Sequence, residues 1–144
     1  MTKMIFVNLP VTDLGRSTAF YQALGATKNE QFSDDTGSCV VWSQTIHVML
    51  LTHDKWRQFT AKRIPDARES AQVLLALSED SREGVDALIE RARAAGGTVD
   101  PMPVQDHGFM YGRDFEDPDG HVWEVFWMDV AAATGVAPAD AQAG

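Results

Sequence analysis

The chain has 144 residues and a mass of 15.8 kDa, which is the size of one ordinary domain with a substantial core. Twelve lysines and arginines stand against 21 aspartates and glutamates, a formal net charge of −9, so the composition disfavours binding to nucleic acid or to an anionic membrane surface. The only cysteine, Cys39, has no partner for an intramolecular disulfide, and no apolar run is as long as a bilayer span, so we expect a cytoplasmic protein.

The first half of the chain predicts a strand, a capped helix and three more strands. Residues 4–12 are rich in the β-branched and aromatic side chains that strands favour. Asp13 stands at an N-cap position, and Gly25 follows the last apolar residue of a helical face over 14–24. Turn residues separate the three further strands, which are predicted at 27–32, 38–42 and 45–52.

The second half predicts the same order of elements. A polar segment predicts a short helix at 55–59 and then a linker, and a strand is predicted at 70–78. Asp80 and Glu83 have the spacing of a capping box ahead of an amphipathic helix. The last three strands are predicted at 98–104, 108–115 and 121–128.

The order βαβββ therefore occurs twice, which suggests a duplicated module and an α+β fold. Each module exposes one apolar sheet face unless it meets a partner, so two curved sheets would enclose a cleft, the natural place for a ligand. We expect one domain over residues 1–129, with residues 130–144 as a flexible tail. Within it, module one spans 4–53, the linker 54–69 and module two 70–129.

Two stretches carry distinctive motifs, VNLPVTDLGRSTAFY at residues 7–21 and GRDFEDPDGHVWEVF at residues 112–126. The first resembles the strand-to-helix opening, and the second the closing hairpin, of the glyoxalase/bleomycin-resistance/extradiol-dioxygenase proteins, also called the vicinal oxygen chelate superfamily. The resemblance covers residues 4–129 and is greatest to the subgroup described as predicted lactoylglutathione lyases. It implies two βαβββ modules that form curved mixed sheets around a cleft.

The resemblance also implies where a divalent metal would bind, on the first and last strand of each module. The four positions fall on Phe6, Leu50, Leu74 and Glu124. Phenylalanine and leucine offer no donor atom, and one carboxylate is not a metal site, so we expect no metal cofactor. Asn8 and Gln72 lie nearby on the same predicted face, but amides are weak ligands without charged neighbours.

Strand alternation predicts which side chains face the cleft. If Glu116 lies opposite His121 in the last hairpin, then Arg113 lies opposite Glu124. Two interpretations stay open: Glu124 is a general base or ligand anchor with Arg113 binding an anionic group, or the two form a structural ion pair. The other predicted lining residues are Phe6, Asn8, Leu50, Leu74, Ala76, Phe109, Tyr111, Phe115, Val122, Phe126 and Met128.

Among the histidines, His107 precedes an inward-facing strand between polar residues and a glycine, so it either shuttles a proton or belongs to a polar turn. His47 is predicted on the convex face, away from the cleft.

Two functions remain open, and with them whether the chain is an enzyme. The first is a small-molecule binder of the bleomycin-resistance kind, with an apolar cleft and no metal. The alternative is a lyase or isomerase of the lactoylglutathione-lyase type, acting on a small oxoacid or glutathione adduct, with Glu124 and either His107 or Tyr111 as catalytic residues. The resemblance further implies a homodimer.

Overall fold

The computed structural model describes residues 2–134 and confirms the predicted α+β architecture. Among these residues, no helix is long and apolar enough to cross a membrane. The elements in chain order are β1 (Ile5–Val11), α1 (Leu14–Ala23), β2 (Thr27–Asn29), a 3-10 turn (Glu30–Phe32), β3 (Gly37–Val41), β4 (Ile46–Thr52), α2 (His53–Trp56), β5 (Leu75–Ser78), α3 (Arg82–Ala94), β6 (Thr98–Val99), β7 (Gln105–Asp106), β8 (Met110–Glu116), β9 (Val122–Met128) and α4 (Val130–Thr134).

Each module forms its own sheet. The first sheet has the order β1-β4-β3-β2, and the second has the order β5-β9-β8-β6 with the short β7 also paired to β8. In both sheets the first strand of the module pairs in parallel with its last strand, and the other pairs are antiparallel. The βαβββ repeat is therefore confirmed, with β7 as an addition to the second module.

Several predicted strands are shorter in the structure. Residues 30–32 form the 3-10 turn, and residues 70–74 precede β5 without strand pairing. Of the predicted strand at 98–104 only β6 forms, because Pro101 and Pro103 lack the backbone N–H that a ladder needs, and β7 follows at 105–106, outside the predicted range. Helix α3 is capped by Ser81, whose hydroxyl accepts a hydrogen bond from the N–H of Gly84.

The ends of two other segments also differ from the prediction. The short helix begins at His53, two residues before the predicted 55–59, because Thr52 caps it through its hydroxyl. The predicted flexible tail begins with α4, and its remainder, residues 135–144, lies outside the described residues.

One hydrophobic core serves both modules. Helices α1 and α3 cover one face of their own sheets, and the aromatic side chains of these layers meet at the module boundary. Phe20 lies 5.9 Å from Phe115, and Trp42 lies 5.7 Å from Trp123, measured between ring centroids. Tyr21 is fully buried between the two groups, 6.1 Å from Trp123. The helix-covered face of each sheet is therefore buried in the core, and the opposite, concave faces are available to ligands.

The loop between β8 and β9 joins the modules through two buried carboxylates. The hydroxyl of Tyr21 donates a hydrogen bond to Asp117 at 2.7 Å and accepts one from the indole N–H of Trp123 at 2.9 Å. Asp119 accepts hydrogen bonds from the backbone N–H and the hydroxyl of Thr12, at 2.9 and 2.8 Å. The aspartates of the closing motif therefore attach the second module to β1 and α1.

Gly120 ends this loop in a conformation that only glycine adopts easily. Its φ is +98°, and a Cβ at this position would lie 2.8 Å from the backbone of Ala67 and Arg68 in the linker. The linker thus packs directly on the loop, and the absence of a side chain at Gly120 permits that contact.

We expect Gly120→Ala to destabilise the protein by about 3 kcal/mol or more, since it combines an unfavourable φ with a backbone clash. The matched control is Gly96→Ala, because Gly96 has a similar φ of +94° but open space around its Cβ position. That control should cost only about 1–2 kcal/mol. Urea unfolding measures the free energy of unfolding of both variants. Equal losses of stability would show that the contact between the linker and Gly120 contributes nothing.

Candidate functional site

The concave face of the second sheet carries three carboxylates. Asp114 on β8 lies directly opposite Glu124 on β9, and Glu116 lies opposite Val122 in the next pair of that face. All three acidic side chains are partly buried and line one cavity of about 530 Å³. The cavity is bordered by residues 67–71, at the end of the linker, and by the segment 101–103.

The cavity has an apolar part beside its acidic part. Leu74, Met102 and Val122 line it together with the carboxylates, and Leu74 and Met102 are more than half exposed. Side chains of this kind leave a carbon surface that water covers poorly until a ligand binds.

The electrostatics of the cavity are those of an unneutralised carboxylate pair. Burial raises the pKa of Asp114, and the charges of Glu124 and Asp100 raise it further. Within residues 2–134, none of the carboxylates of Asp114, Glu116 and Glu124 has an ion pair or a side-chain hydrogen bond. The site is therefore poised to attract positive charge.

The predicted register of the last hairpin is wrong by one residue. Five residues, and not the expected four, lie between the paired positions Glu116 and Val122. The extra residue is Gly120, which follows a turn closed by a hydrogen bond from the N–H of Gly120 to the carbonyl of Asp117. Asp114 therefore takes the place opposite Glu124 that was assigned to Arg113. A one-residue shift moves every side chain to the other face of the sheet.

Arg113 consequently lies on the helix-covered face, opposite Val125. Its guanidinium contacts Asp86 at 2.9 Å and Asp100 at 2.7 and 3.1 Å. Tyr111 shares this face and donates a hydrogen bond from its hydroxyl to Asp86 at 2.6 Å. Neither side chain faces the cavity, so the predicted cleft pair of Arg113 with Glu124 does not exist.

Phe115 and Leu50 were also predicted to line the cleft, and both are fully buried in the core instead. The one-residue shift of the hairpin register explains why Phe115 faces the core and not the cleft. Around Leu50 both faces of β4 are apolar, so alternation could not distinguish them. The side of β4 opposite Leu50 carries His47, Met49 and Leu51, and the ring of His47 stacks on Phe6 with 4.4 Å between centroids. His47 is thus on the concave face, contrary to the prediction.

The remaining predicted residues are scattered. Leu74 lines the acidic cavity, whereas Asn8 lines a smaller cavity of about 310 Å³ between β1 and residues 70–75. Phe109 is exposed beside His107, whose ring contacts the side-chain oxygen of Gln105 at 3.2 Å. The structure therefore does not bring Glu124, His107 and Tyr111 together.

Sequence reasoning missed Asp114 and Glu116. The turn sequence Asp117-Pro-Asp-Gly120 could have indicated them, since a glycine at the end of such a turn often adds a bulge.

The donor groups do not fit the metal site that the resemblance implies. Phe6 and Leu74 present only carbon at two of the four positions, and Leu50 faces the core. Throughout residues 2–134, no three histidine, cysteine, aspartate or glutamate side chains are arranged to hold a metal ion.

The ion pairs of Arg113 should make stability depend on pH. Hydrogen bonding to Arg113 lowers the pKa of Asp100, and hydrogen bonding to Tyr111 and Arg113 lowers the pKa of Asp86. Both carboxyl groups have a lower pKa in the folded than in the unfolded protein. The ion pairs therefore stabilise the fold fully above the unfolded-state pKa, and this stabilisation is lost as the pH falls through the folded-state pKa.

We therefore expect the urea midpoint to fall between about pH 5 and pH 2, and Asp100→Asn to lower it at pH 7 and flatten this decline. Asparagine tolerates the φ of +51° at this position, so the substitution changes charge more than backbone. The exposed Asp35, substituted to asparagine, serves as the control. If the urea midpoint of Asp100→Asn declined with falling pH as steeply as that of the parent protein, the stabilisation assigned to the ion pair of Arg113 with Asp100 would be contradicted.

Comparison with known proteins identifies the fold. Residues 3–125 match the model of the Glyoxalase/Bleomycin resistance protein/Dioxygenase superfamily. A hypothetical protein from S. aureus, SA1046, is 28% identical, with a TM-score of 0.72 over 88% of this chain and 94% of that one. A glyoxalase-related enzyme from Fulvimarina pelagi is 21% identical, with a TM-score of 0.74 over 90% and 91% of the two chains.

The fosfomycin resistance protein FosX from Listeria monocytogenes is similar in fold, at 21% identity and a TM-score of 0.63 over 88% of this chain and 91% of that one. No curated protein matches the sequence. The family match extends over both modules and agrees with the two βαβββ sheets, and the chain therefore belongs to the glyoxalase/bleomycin resistance protein/dioxygenase superfamily.

Proposed function

We propose that the protein binds a small organic cation with an apolar body, in the acidic cavity of its second sheet and without a metal. The observation that carries this proposal is the set of three carboxylates, Asp114, Glu116 and Glu124, that line one cavity and form no ion pair among the described residues. Arg68 also borders this cavity, but its guanidinium donates a hydrogen bond to the carbonyl of Pro118 at 2.8 Å. The negative charge of the cavity favours a cationic ligand, and Leu74, Met102 and Val122 supply apolar contact.

The dimensions and the charge both suit such a ligand. A cavity of about 530 Å³ falls within the range of small-molecule sites. Asp114 and Glu124 face one another, so a planar cation with several N–H donors could bond to both. Because the carboxylates are only partly buried, solvent screening limits the strength of each ion pair, and the apolar contact has to supply the rest.

Metal-free binding follows from the donor chemistry. Hard divalent cations need several oxygen or nitrogen donors, whereas the positions implied by the resemblance present carbon at Phe6 and Leu74. The ligand is therefore proposed to contact Glu124 and Asp114 directly.

Benzamidine is a suitable probe, and benzamide is its neutral isostere. We expect saturable binding of benzamidine by isothermal titration calorimetry, unchanged after dialysis against EDTA, and at least tenfold weaker binding of benzamide. The double variant Asp114→Asn/Glu124→Gln should reduce benzamidine affinity at least tenfold, because it removes both charges that the amidinium pairs with.

The matched charge control is Asp35→Asn/Glu83→Gln, which neutralises two exposed carboxylates away from the cavity. It should bind benzamidine like the parent protein. Affinity should also decline as pH falls, starting above the range of an ordinary aspartate, since the pKa of Asp114 is raised. Equal binding of benzamide, or equal weakening in both variants, would contradict the proposal.

One observation favours the alternative, a lyase or isomerase. Two facing carboxylates, one of them with a raised pKa, can act as proton donor and acceptor to the same ligand. In that case Glu124→Gln should abolish turnover of a small oxoacid or glutathione adduct while the protein still folds. Neither Tyr111, which is held by Asp86, nor His107 is placed to share this role.

We also propose that the chain forms a homodimer through the free edge of the first sheet. β1 is an edge strand, and its first residues Ile5 and Phe6, with Met4 just before it, are each about half exposed. Val73, just before the other edge strand β5, is exposed as well. A second copy that covered these side chains would remove apolar surface from water.

Light scattering after gel filtration tests the dimer. Phe6→Glu should shift the protein toward monomer, because it places a charge in the proposed interface. Phe32→Glu changes a phenylalanine in the 3-10 turn that is 61% exposed, against 48% for Phe6, and should leave the mass unchanged. A parent protein that is monomeric at micromolar concentration would overturn the proposal.

A further inference from the structure

The basic side chains of this acidic protein are concentrated in one segment. Residues 53–68 contain five of the 12 lysines and arginines but only two of the 21 aspartates and glutamates. This segment is the short helix α2 and the irregular linker that follows it. The linker therefore has the opposite charge to the rest of the molecule.

The linker encloses a cavity of about 520 Å³, which we call the linker cavity. Its walls are the linker itself, the end of β1 and the loop between β8 and β9. The cationic and imidazole side chains that line it are His53, Arg57, Lys62, Arg63, Arg68 and His121.

The acidic groups in these walls are already hydrogen-bonded. Asp119 accepts hydrogen bonds from Thr12 and from the hydroxyl of Ser17, the latter at 3.3 Å. Asp66 accepts one from the backbone N–H of Arg68 at 3.0 Å, and its carbonyl accepts two more from Glu69 and Ser70. These carboxylates are thus engaged in holding the backbone.

Two of the cations, by contrast, are uncommitted, whereas the ring of His121 is hydrogen-bonded to the carbonyl of Pro10 at 2.8 Å. Within residues 2–134 the side chains of Lys62 and Arg63 have neither an ion pair nor a hydrogen bond. Arg57 pairs only with the highly exposed Asp54, at 3.2 Å, and Arg68 donates to the carbonyl of Pro118 at 2.8 Å. The cavity therefore presents more positive charge than its walls neutralise.

The end of the linker that carries Arg68 is held in place. The turn at Asp66 fixes the linker locally, and its residues Ala67 and Arg68 pack against Gly120. A site whose backbone is already positioned loses less entropy when a ligand binds.

We propose that the linker cavity binds the phosphate monoester of a small organic molecule. A guanidinium matches the geometry of a phosphate through paired N–H donors, and a lysine adds a point charge. The volume exceeds what an inorganic phosphate ion needs, and Ile64 and Pro65 in its wall offer apolar contact to an organic body. This site has the opposite charge preference to the acidic cavity and is independent of the function proposed there.

Glucose 6-phosphate, glucose and inorganic phosphate are the probes, each titrated calorimetrically into the full chain. We expect saturable binding of glucose 6-phosphate, none of glucose, and at least fivefold weaker binding of inorganic phosphate. The double variant Lys62→Glu/Arg63→Glu should bind glucose 6-phosphate at least tenfold more weakly. Binding should also weaken as salt concentration rises.

The matched control is Lys3→Glu/Arg16→Glu, which makes the same change in charge at exposed residues outside the cavity. It should retain parental affinity. If the reversed variant does not fold by circular dichroism, Lys62→Ala/Arg63→Ala replaces it, with the same expected loss.

Three outcomes would overturn the proposal: no saturable binding of glucose 6-phosphate at millimolar concentration, equal weakening in the control, or inorganic phosphate binding as tightly as the ester. Benzamidine titrated into Lys62→Glu/Arg63→Glu should bind as to the parent. This separates failure of the linker cavity from failure of the acidic cavity.

Discussion

The fold depends on burying two carboxylates of one module against hydroxyl and amide donors of the other. Asp117 and Asp119 lie in the loop of the second module, and their partners Tyr21 and Thr12 belong to the first. Burial raises the pKa of Asp117, so these hydrogen bonds are needed to offset its desolvation. The pKa of Tyr21 is raised as well, by burial and by the Asp117 charge, which keeps its hydroxyl a donor. The two modules therefore dock in one orientation.

That orientation decides where function can lie. Because the helix-covered faces meet in a shared core, the concave faces and the linker are the surfaces left for ligands. The two proposed sites share the wall residues Ala67 and Arg68 but have opposite charges. The basic linker lines one cavity and the carboxylates of the second sheet line the other, so we propose that the two cavities prefer ligands of opposite charge.

The closing motif shows how one sequence pattern can be interpreted in two ways. Its aspartates and glycine form the turn and the contacts between modules. The bulge at Gly120 then sets the register of β8 against β9. That one residue exchanges Arg113 for Asp114 on the concave face and turns an expected ion pair into a pair of like charges. Glu124 keeps its predicted face, because β9 itself alternates regularly.

The sequence by itself determined the α+β class and the repeated βαβββ order, because hydrophobic periodicity, caps and turn residues are local signals. The family resemblance was carried by the two motifs at residues 7–21 and 112–126. It also placed Glu124 and Leu74 at the cavity. The faces of Leu50, Phe115 and Arg113 were decided only by the tertiary structure. Where neighbouring residues are all apolar, or where a turn adds one residue, local alternation has no unique solution, and packing between strands selects the register. The linker cavity likewise exists only because the loop at Gly120 folds back onto residues distant in sequence.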